Sequence, residues 1–141
     1  RAPPKRRRPP SVILFSEMSI RARSWHRSNT FSHRDFPLER LVAERIGTVS
    51  VCLPARNEAR TIGSILEQLL PLREAGVVDQ LIVVDNSTDG TAEIAKRLGA
   101  EVYDQEQLAP EHGPVLGKGD AMWRALPTLT GDIVCFLDAD S

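Results

Sequence analysis

Two apolar runs, each ending abruptly in aspartate, restrict what this chain can fold into more than any other feature. Leu81-Ile82-Val83-Val84 runs into Asp85, and Ile133-Val134-Cys135-Phe136-Leu137 runs into Asp138. Runs without polar alternation suit strands buried on both faces, as in a parallel sheet covered by helices. The segments around them agree. Val49–Leu53 predicts a further strand that Pro54 ends, because proline brings no amide hydrogen to the ladder. Ile62, Ile65, Leu66, Leu69 and Leu70 mark one face of a helix, with Pro71 at its end. Thr91–Leu98 predicts a second helix stopped by Gly99, and Ala100–Tyr103 a short strand. Asp104–Leu116 reads as a loop, Gly117–Leu126 as a third helix and Asp132–Asp138 as the last strand. Leu38, Leu41, Val42 and Ile46 recur at helical spacing and predict a short entry helix over 37–46. The order β-α-β-α-β-loop-α-β implies an α/β, Rossmann-like fold: a mostly parallel sheet with flanking helices and right-handed crossovers.

The N-terminal stretch is of another kind. Residues 1–10 hold four prolines and five basic residues and cannot supply a core. A basic, Pro-rich, disordered tail is expected over 1–32, with one apolar patch at Val12–Phe15, and the folded domain over 33–141. Charge divides the same way: residues 1–45 carry a net +7 and residues 46–141 a net −8. The near-neutral total argues against a nucleic-acid binder, and leaves contact with RNA or anionic lipid to the arm alone. No apolar run approaches the ~18 residues of a membrane span. Arg6–Arg8 followed by Val12–Phe15 falls short of a secretion signal, whose apolar region needs about 7–15 residues. Cys52 and Cys135 make no disulfide framework; two reduced thiols in apolar strands make the cytoplasm the expected location. With no initiator Met, and with Ser141 directly behind an acidic motif, the chain reads as a piece of a longer protein.

In open α/β sheets, ligands sit beyond the carboxyl ends of the strands. The conspicuous polar residues lie there. Pro54-Ala55-Arg56-Asn57-Glu58 follows the first strand, Asp85-Asn86-Ser87-Thr88-Asp89-Gly90 the second, and Asp138-Ala139-Asp140 the last. Two carboxylates two residues apart repel, by about 1 kcal/mol even in water-like dielectric. A divalent cation relieves that repulsion, and Mg²⁺ or Mn²⁺ is commonly held by one or two carboxylates plus a substrate phosphate. Gly117-Lys118-Gly119 opens a predicted helix. Its glycines permit close backbone approach, the helix N-terminus favours an anion, and Lys118 adds a point charge. It is not a Walker loop, which needs Gly in place of His112 and Ser or Thr in place of Gly119. Asn57 and Glu58 also suit helix capping. His26, His33 and His112 lack metal-ligand spacing and read as surface residues, and Trp123 reads as helix packing. No Ser/His/Asp or Cys/His arrangement assembles, and no catalytic residue is assigned.

Taken together, Val51 through Glu58, Ile82 through Asp85, Gly117 through Arg124 and Phe136 through Asp140 resemble the nucleotide-binding half of GT-A glycosyltransferases. The likeness is strongest to the retaining glucosyl-3-phosphoglycerate synthases of actinobacteria, and it extends over residues 30–141. It implies that Pro54, Ala55, Arg56, Asn57 and Glu58 line a UDP-sugar site and that Asp85 and Asn86 contact the nucleoside. It further implies that Lys118 faces the diphosphate or sugar, Asp138 and Ala139 touch the nucleotide, and Asp140 ligates the metal. The implied donor is UDP-glucose, the acceptor 3-phosphoglycerate and the cofactor Mg²⁺ or Mn²⁺, with a homodimer open for the full-length protein. Arg56 departs from the Leu frequent in that narrow family. A GT-A enzyme with another acceptor, a haloacid-dehalogenase-like phosphatase using Asp138 as nucleophile, and an inactive nucleotide-sugar-binding module stay open as alternatives. The isolated chain is expected to be inactive, its acceptor site lying downstream.

Overall fold

The computed structural model describes residues 19–140. The Pro-rich stretch 1–10 and the patch Val12–Phe15 lie outside the described residues. The remainder divides into two units between Phe36 and Pro37. In the first, helix α1 spans Ile20–Ser28, begun by the Ser19 hydroxyl, which accepts from the Ala22 amide at 3.2 Å. A disordered tail was expected as far as residue 32, so α1 is a departure. It buries no residue and therefore shows no apolar stripe; its signals are the serine cap and a run free of glycine and proline. A single 3₁₀ turn follows at His33–Asp35, closed by a capping box between Ser32 and Asp35.

The second unit opens with α2 (Leu38–Ala43), shorter than the 37–46 expected. Ile46, expected on its apolar face, is 96% exposed. There follow β1 (Val49–Ala55), α3 (Ile62–Glu74), β2 (Gln80–Asp85), α4 (Thr91–Arg97), β3 (Glu101–Asp104), α5 (Lys118–Ala125) and β4 (Ile133–Phe136). The strands form one parallel sheet in the order β3-β2-β1-β4. Every residue of β2 is buried, as its unbroken apolar run requires. Alternate side chains serve two cores. Val51, Leu53, Leu81 and Val83 pack with Ile62, Leu66 and Leu69 of α3 and Ala95 of α4. Cys52, Ile82 and Val84 pack with Ala121 and Ala125 of α5 on the opposite face. Each fully buried aliphatic side chain contributes roughly 1.5–3 kcal/mol.

Two prolines do not act as the sequence suggests. Pro54 lies within β1, opposite Val84, rather than ending it. The Ala55 carbonyl accepts from Asn86 on the β2 side and the Cys52 carbonyl from Leu137 on the β4 side. Strand alternation therefore turns the Pro54 nitrogen toward β4, whose pairing with β1 stops at Cys52–Phe136, and no ladder bond is lost. Pro71 sits inside α3, which continues to Glu74. Its carbonyl still accepts from Ala75 at 3.0 Å, so the last turn survives the missing donor. β4 is shorter than Asp132–Asp138. It is also not buried on both faces: Ile133 and Val134 are exposed, and β4 pairs on one side with β1.

Beneath the amino ends of the strands lies a buried polar knot. The Ser50 hydroxyl donates to Gln80 Oε1 at 2.7 Å and accepts from the Gly131 amide at 2.8 Å; the same Gln80 oxygen accepts from the Thr130 amide at 3.0 Å. It fixes the entry of β4 beside β1.

Candidate active site

The chain runs from β1 outward to β2 and β3, then returns across the sheet to β4. The order reverses between β1 and β4, and at such a switch point the connections leave the carboxyl ends in opposite directions and open a crevice. A cleft of about 500 Å³ lies there. Of the residues expected at the site, Pro54, Ala55, Arg56, Glu58, Asn86, Lys118, Ala139 and Asp140 line it. Asn57, Asp85 and Asp138 do not, and each has a visible engagement of its own.

Asn57 adopts φ 61°, a left-handed conformation that asparagine tolerates better than most residues. It fastens two loops together: its amide donates to Ser87 Oγ at 2.7 Å and its side-chain carbonyl accepts from the Thr88 amide at 3.1 Å. The Glu58 amide donates to Thr91 Oγ1 at 2.9 Å and the Ala59 amide to Asp89 Oδ2 at 3.1 Å. The Thr91 hydroxyl bond holds the Asp89 carboxyl below the usual carboxylate range. Asp85, buried at the end of β2, accepts from the Ser87 hydroxyl at 2.6 Å and the Ser87 amide at 3.2 Å. It borders a neighbouring depression toward β3.

Asp138 pairs with Lys118, and both side chains are about half exposed; Asp138 borders a separate depression beside Ile65 and Leu137. The bond that Lys118 donates to Asp138 raises the pKa of its ammonium above the ordinary value, and the charges of Asp138 and Asp140 add to the effect. Between the two aspartates, Ala139 is buried in the core beneath α3 and its carbonyl accepts from Thr61 Oγ1 at 2.7 Å. That tether leaves Asp140 exposed at the cleft wall. Gly117, with φ 132°, is the N-cap of α5. A Cβ added at Gly117 or Gly119 would meet nothing within 4 Å, so the space over this helix start is open to a ligand approaching the backbone.

Among the described residues no three His, Cys, Asp or Glu side chains are grouped to hold a metal by protein atoms alone. The donors on offer are carboxylate oxygens, a hard set that suits Mg²⁺ or Mn²⁺ completed by substrate phosphate. Asp140, exposed on the cleft wall, offers a carboxylate of that kind, so the residues present fit such a cation. His112 meets Trp123 edge-on, ring centroids 4.8 Å apart, and Trp123 is half exposed instead of packed in the core.

Sequence reasoning passed over several residues that build the cleft. Gln105 is buried and donates to the Gly117 carbonyl at 3.3 Å. Glu106 and Leu116 line the cleft. Arg124 is 2% exposed and ion-paired with Asp120 at 2.8 Å; the i, i+4 spacing was its one visible signal.

Glycosyl transferase family 2 matches residues 50–141. The chain belongs to this family. Membership removes the phosphatase reading of Asp138. Among curated relatives, glucosyl-3-phosphoglycerate synthase of Mycolicibacterium smegmatis is 43% identical over 118 residues, 82% of this chain and 39% of that protein. Among solved structures, mannosyl-3-phosphoglycerate synthase of Rubrobacter xylanophilus superposes with a TM-score of 0.77 at 44% identity, over 83% of this chain and 40% of that one. Glucosyl-3-phosphoglycerate synthase of Mycobacterium tuberculosis, in complex with Mn²⁺, UDP and glucosyl-3-phosphoglycerate, superposes at 0.70 with 43% identity, over 78% of this chain and 40% of that one. The GT-A fold expected from the sequence is thereby established. The chain spans about two-fifths of the length of these relatives. No helix among the described residues is long and apolar enough to cross a membrane.

Proposed function

We propose that this chain forms the donor-binding half of a glycosyltransferase that moves glucose from UDP-glucose to 3-phosphoglycerate, with retention and with a divalent cation. One observation carries the reading: Lys118, paired with Asp138, and Asp140 line the switch-point cleft of a chain 43–44% identical to synthases whose structures hold UDP and Mn²⁺. Arg56, Glu58 and Asn86 form the donor's walls. Asp85 fixes the loop that carries Asn86, through Ser87. Lys118 lies where negative charge builds on a departing diphosphate, and a preplaced ammonium there lowers the barrier electrostatically. Asp140, exposed on the cleft wall, would hold the cation, with Asp138 close by on Lys118. Bound there, Mg²⁺ or Mn²⁺ would supply Lewis-acid stabilisation of the leaving diphosphate.

The test is a transfer assay on the full-length protein with UDP-glucose, 3-phosphoglycerate and Mg²⁺ or Mn²⁺, reading glucosyl-3-phosphoglycerate by mass spectrometry. The product is expected, and Asp140→Asn is expected to abolish this metal-dependent transfer. Binding of UDP-glucose without transfer to this acceptor would keep the donor site and overturn the acceptor. Full activity in Asp140→Asn would overturn the metal assignment. The mannosyl relative motivates a parallel arm with a nucleotide-activated mannose; preference for it would replace glucose as the donor sugar.

A further inference from the structure

The side chain of Arg124 is the one large cation sealed inside this domain among the described residues. Burying a guanidinium is unfavourable unless its N–H groups are met. Here they are. Nε donates to Asp120 Oδ2 at 2.8 Å. Nη1 donates to the carbonyls of Leu108 and Ala109 at 2.8 and 2.9 Å, and Nη2 to those of Gly113 and Pro114 at 2.8 and 3.4 Å. Asp120 completes the arrangement by accepting from the Leu116 amide at 3.1 Å, and that amide bond and Arg124 hold its carboxyl below the usual range.

What this cation organises is not the core. No residue from 109 to 117 is buried, and neither apolar cluster includes any of them. The segment takes an irregular path, with left-handed conformations at Ala109 (φ 49°), Gly113 (φ 86°) and Gly117 (φ 132°). Such a path is unfavourable at a residue with a Cβ unless its surroundings hold it. Carbonyls turned inward around one point also repel unless a cation sits among them. The product of the arrangement is a cleft wall: Pro114 through Gly117 line the cleft and lead directly into Lys118.

We infer that Arg124 is a positioning residue for the donor: from beneath, it sets the 108–117 segment as the cleft wall and delivers Lys118 to the donor's diphosphate. This rests on the donor-site reading above. Only a planar group with five donors in a fixed fork can serve these acceptors together; lysine, a point charge with three, cannot.

The experiment uses the full-length protein, Arg124→Lys and, as a milder second variant, Asp120→Asn, with UDP as the probe. Hydrogen exchange is read at 108–117 and at β1 and β2, and UDP affinity by calorimetry in the presence of Mn²⁺. Arg124→Lys is expected to speed exchange at least tenfold in 108–117, leave the sheet protected, and weaken UDP at least tenfold. Asp120→Asn is expected to show the same pattern, smaller. In turnover, donor KM should rise while acceptor KM holds. A loosened segment with unchanged UDP affinity overturns the inference, as does an unchanged segment. If Arg124→Lys unfolds, Asp120→Asn decides by the same criteria. A wild-type protein that binds no UDP sinks the donor-site reading itself, an outcome distinct from equal binding by wild type and variants.

Discussion

Gly131 is where a single methyl group should do most harm. A Cβ built there would lie 2.5 Å from the Ser50 amide nitrogen, 2.8 Å from Ser50 Oγ and 2.9 Å from the Ile133 carbonyl oxygen. Ordinary contact at such pairs is near 3.4 Å, so roughly 1 Å of movement is required of close-packed neighbours. Ser50 cannot recede, because β1 is held between β2 and β4. Gly131 must move instead, which breaks its bond to Ser50 Oγ and disturbs that of Thr130 to Gln80. Stranding one or two buried polar groups costs about 1–3 kcal/mol each, and overpacking strain adds about 1–3 kcal/mol. Gly131→Ala should therefore lose about 3–6 kcal/mol, a large part of the stability of a domain this size. At about 4–8 °C per kcal/mol for a domain of some hundred residues, Tm should fall by roughly 12–48 °C in calorimetry. Gly119→Ala is the internal control: its Cβ meets nothing within a helix that glycine weakens by about 0.5–1 kcal/mol. A loss below about 1 kcal/mol in Gly131→Ala would refute the reasoning, since the amino end of β4 would then be yielding.

Other outcomes follow from the same structure. Gly119→Ala should raise Tm by a few degrees yet weaken UDP, because its methyl projects into the space over the α5 start; unchanged UDP affinity would show that this space is unused. Burial pushes the Cys52 thiol up to about 12, so at pH 8 iodoacetamide should modify the partly buried Cys135 first, read by peptide mass, and equal rates would show that the sheet opens. Asp132 accepts from the Thr48 amide at 2.9 Å and hydroxyl at 2.8 Å, which hold its carboxyl below the usual range. A lowered folded value gives stability that is complete above the unfolded value of about 3.9 and lost as pH falls through the folded one. Chemical unfolding should therefore show wild type ahead of Asp132→Asn at pH 7, with the gap closing below about pH 4; a gap that persists in acid contradicts this.

The layered α/β core was legible because its signals are local and redundant. The all-apolar β2 and the spacing of Ile62, Leu66 and Leu69 each name an element without help from elsewhere. Pro54 and Pro71 misled because the consequence of a missing amide depends on what lies opposite it, which spacing does not encode. Helix α1 escaped because a helix that buries nothing has no stripe to read. At the site, residue types and loop positions pointed to the carboxyl end of the sheet, where Lys118 and Asp140 line the cleft. Spacing could not say that Asn57 and Asp85 fasten loops to one another, since their partners, Thr88 and Ser87, offer as many polar atoms as a ligand would. Beyond its i, i+4 pairing with Asp120, Arg124 gave no signal for a related reason: main-chain carbonyls receive it, and every sequence has those.

The strand order also governs when the site comes into being. The wall that carries Asp140 hangs on the first strand and the last: Cys52 receives the Leu137 amide, and Thr61 reaches Ala139, 78 positions away. On a ribosome, β1 and β2 can pair as soon as α3 has emerged, whereas the β1–β4 contact waits for the rest of the segment and closes a long loop. A nascent chain thus has a folded sheet before it has a cleft. The cleft is completed last, when β4 docks against a strand that is already paired.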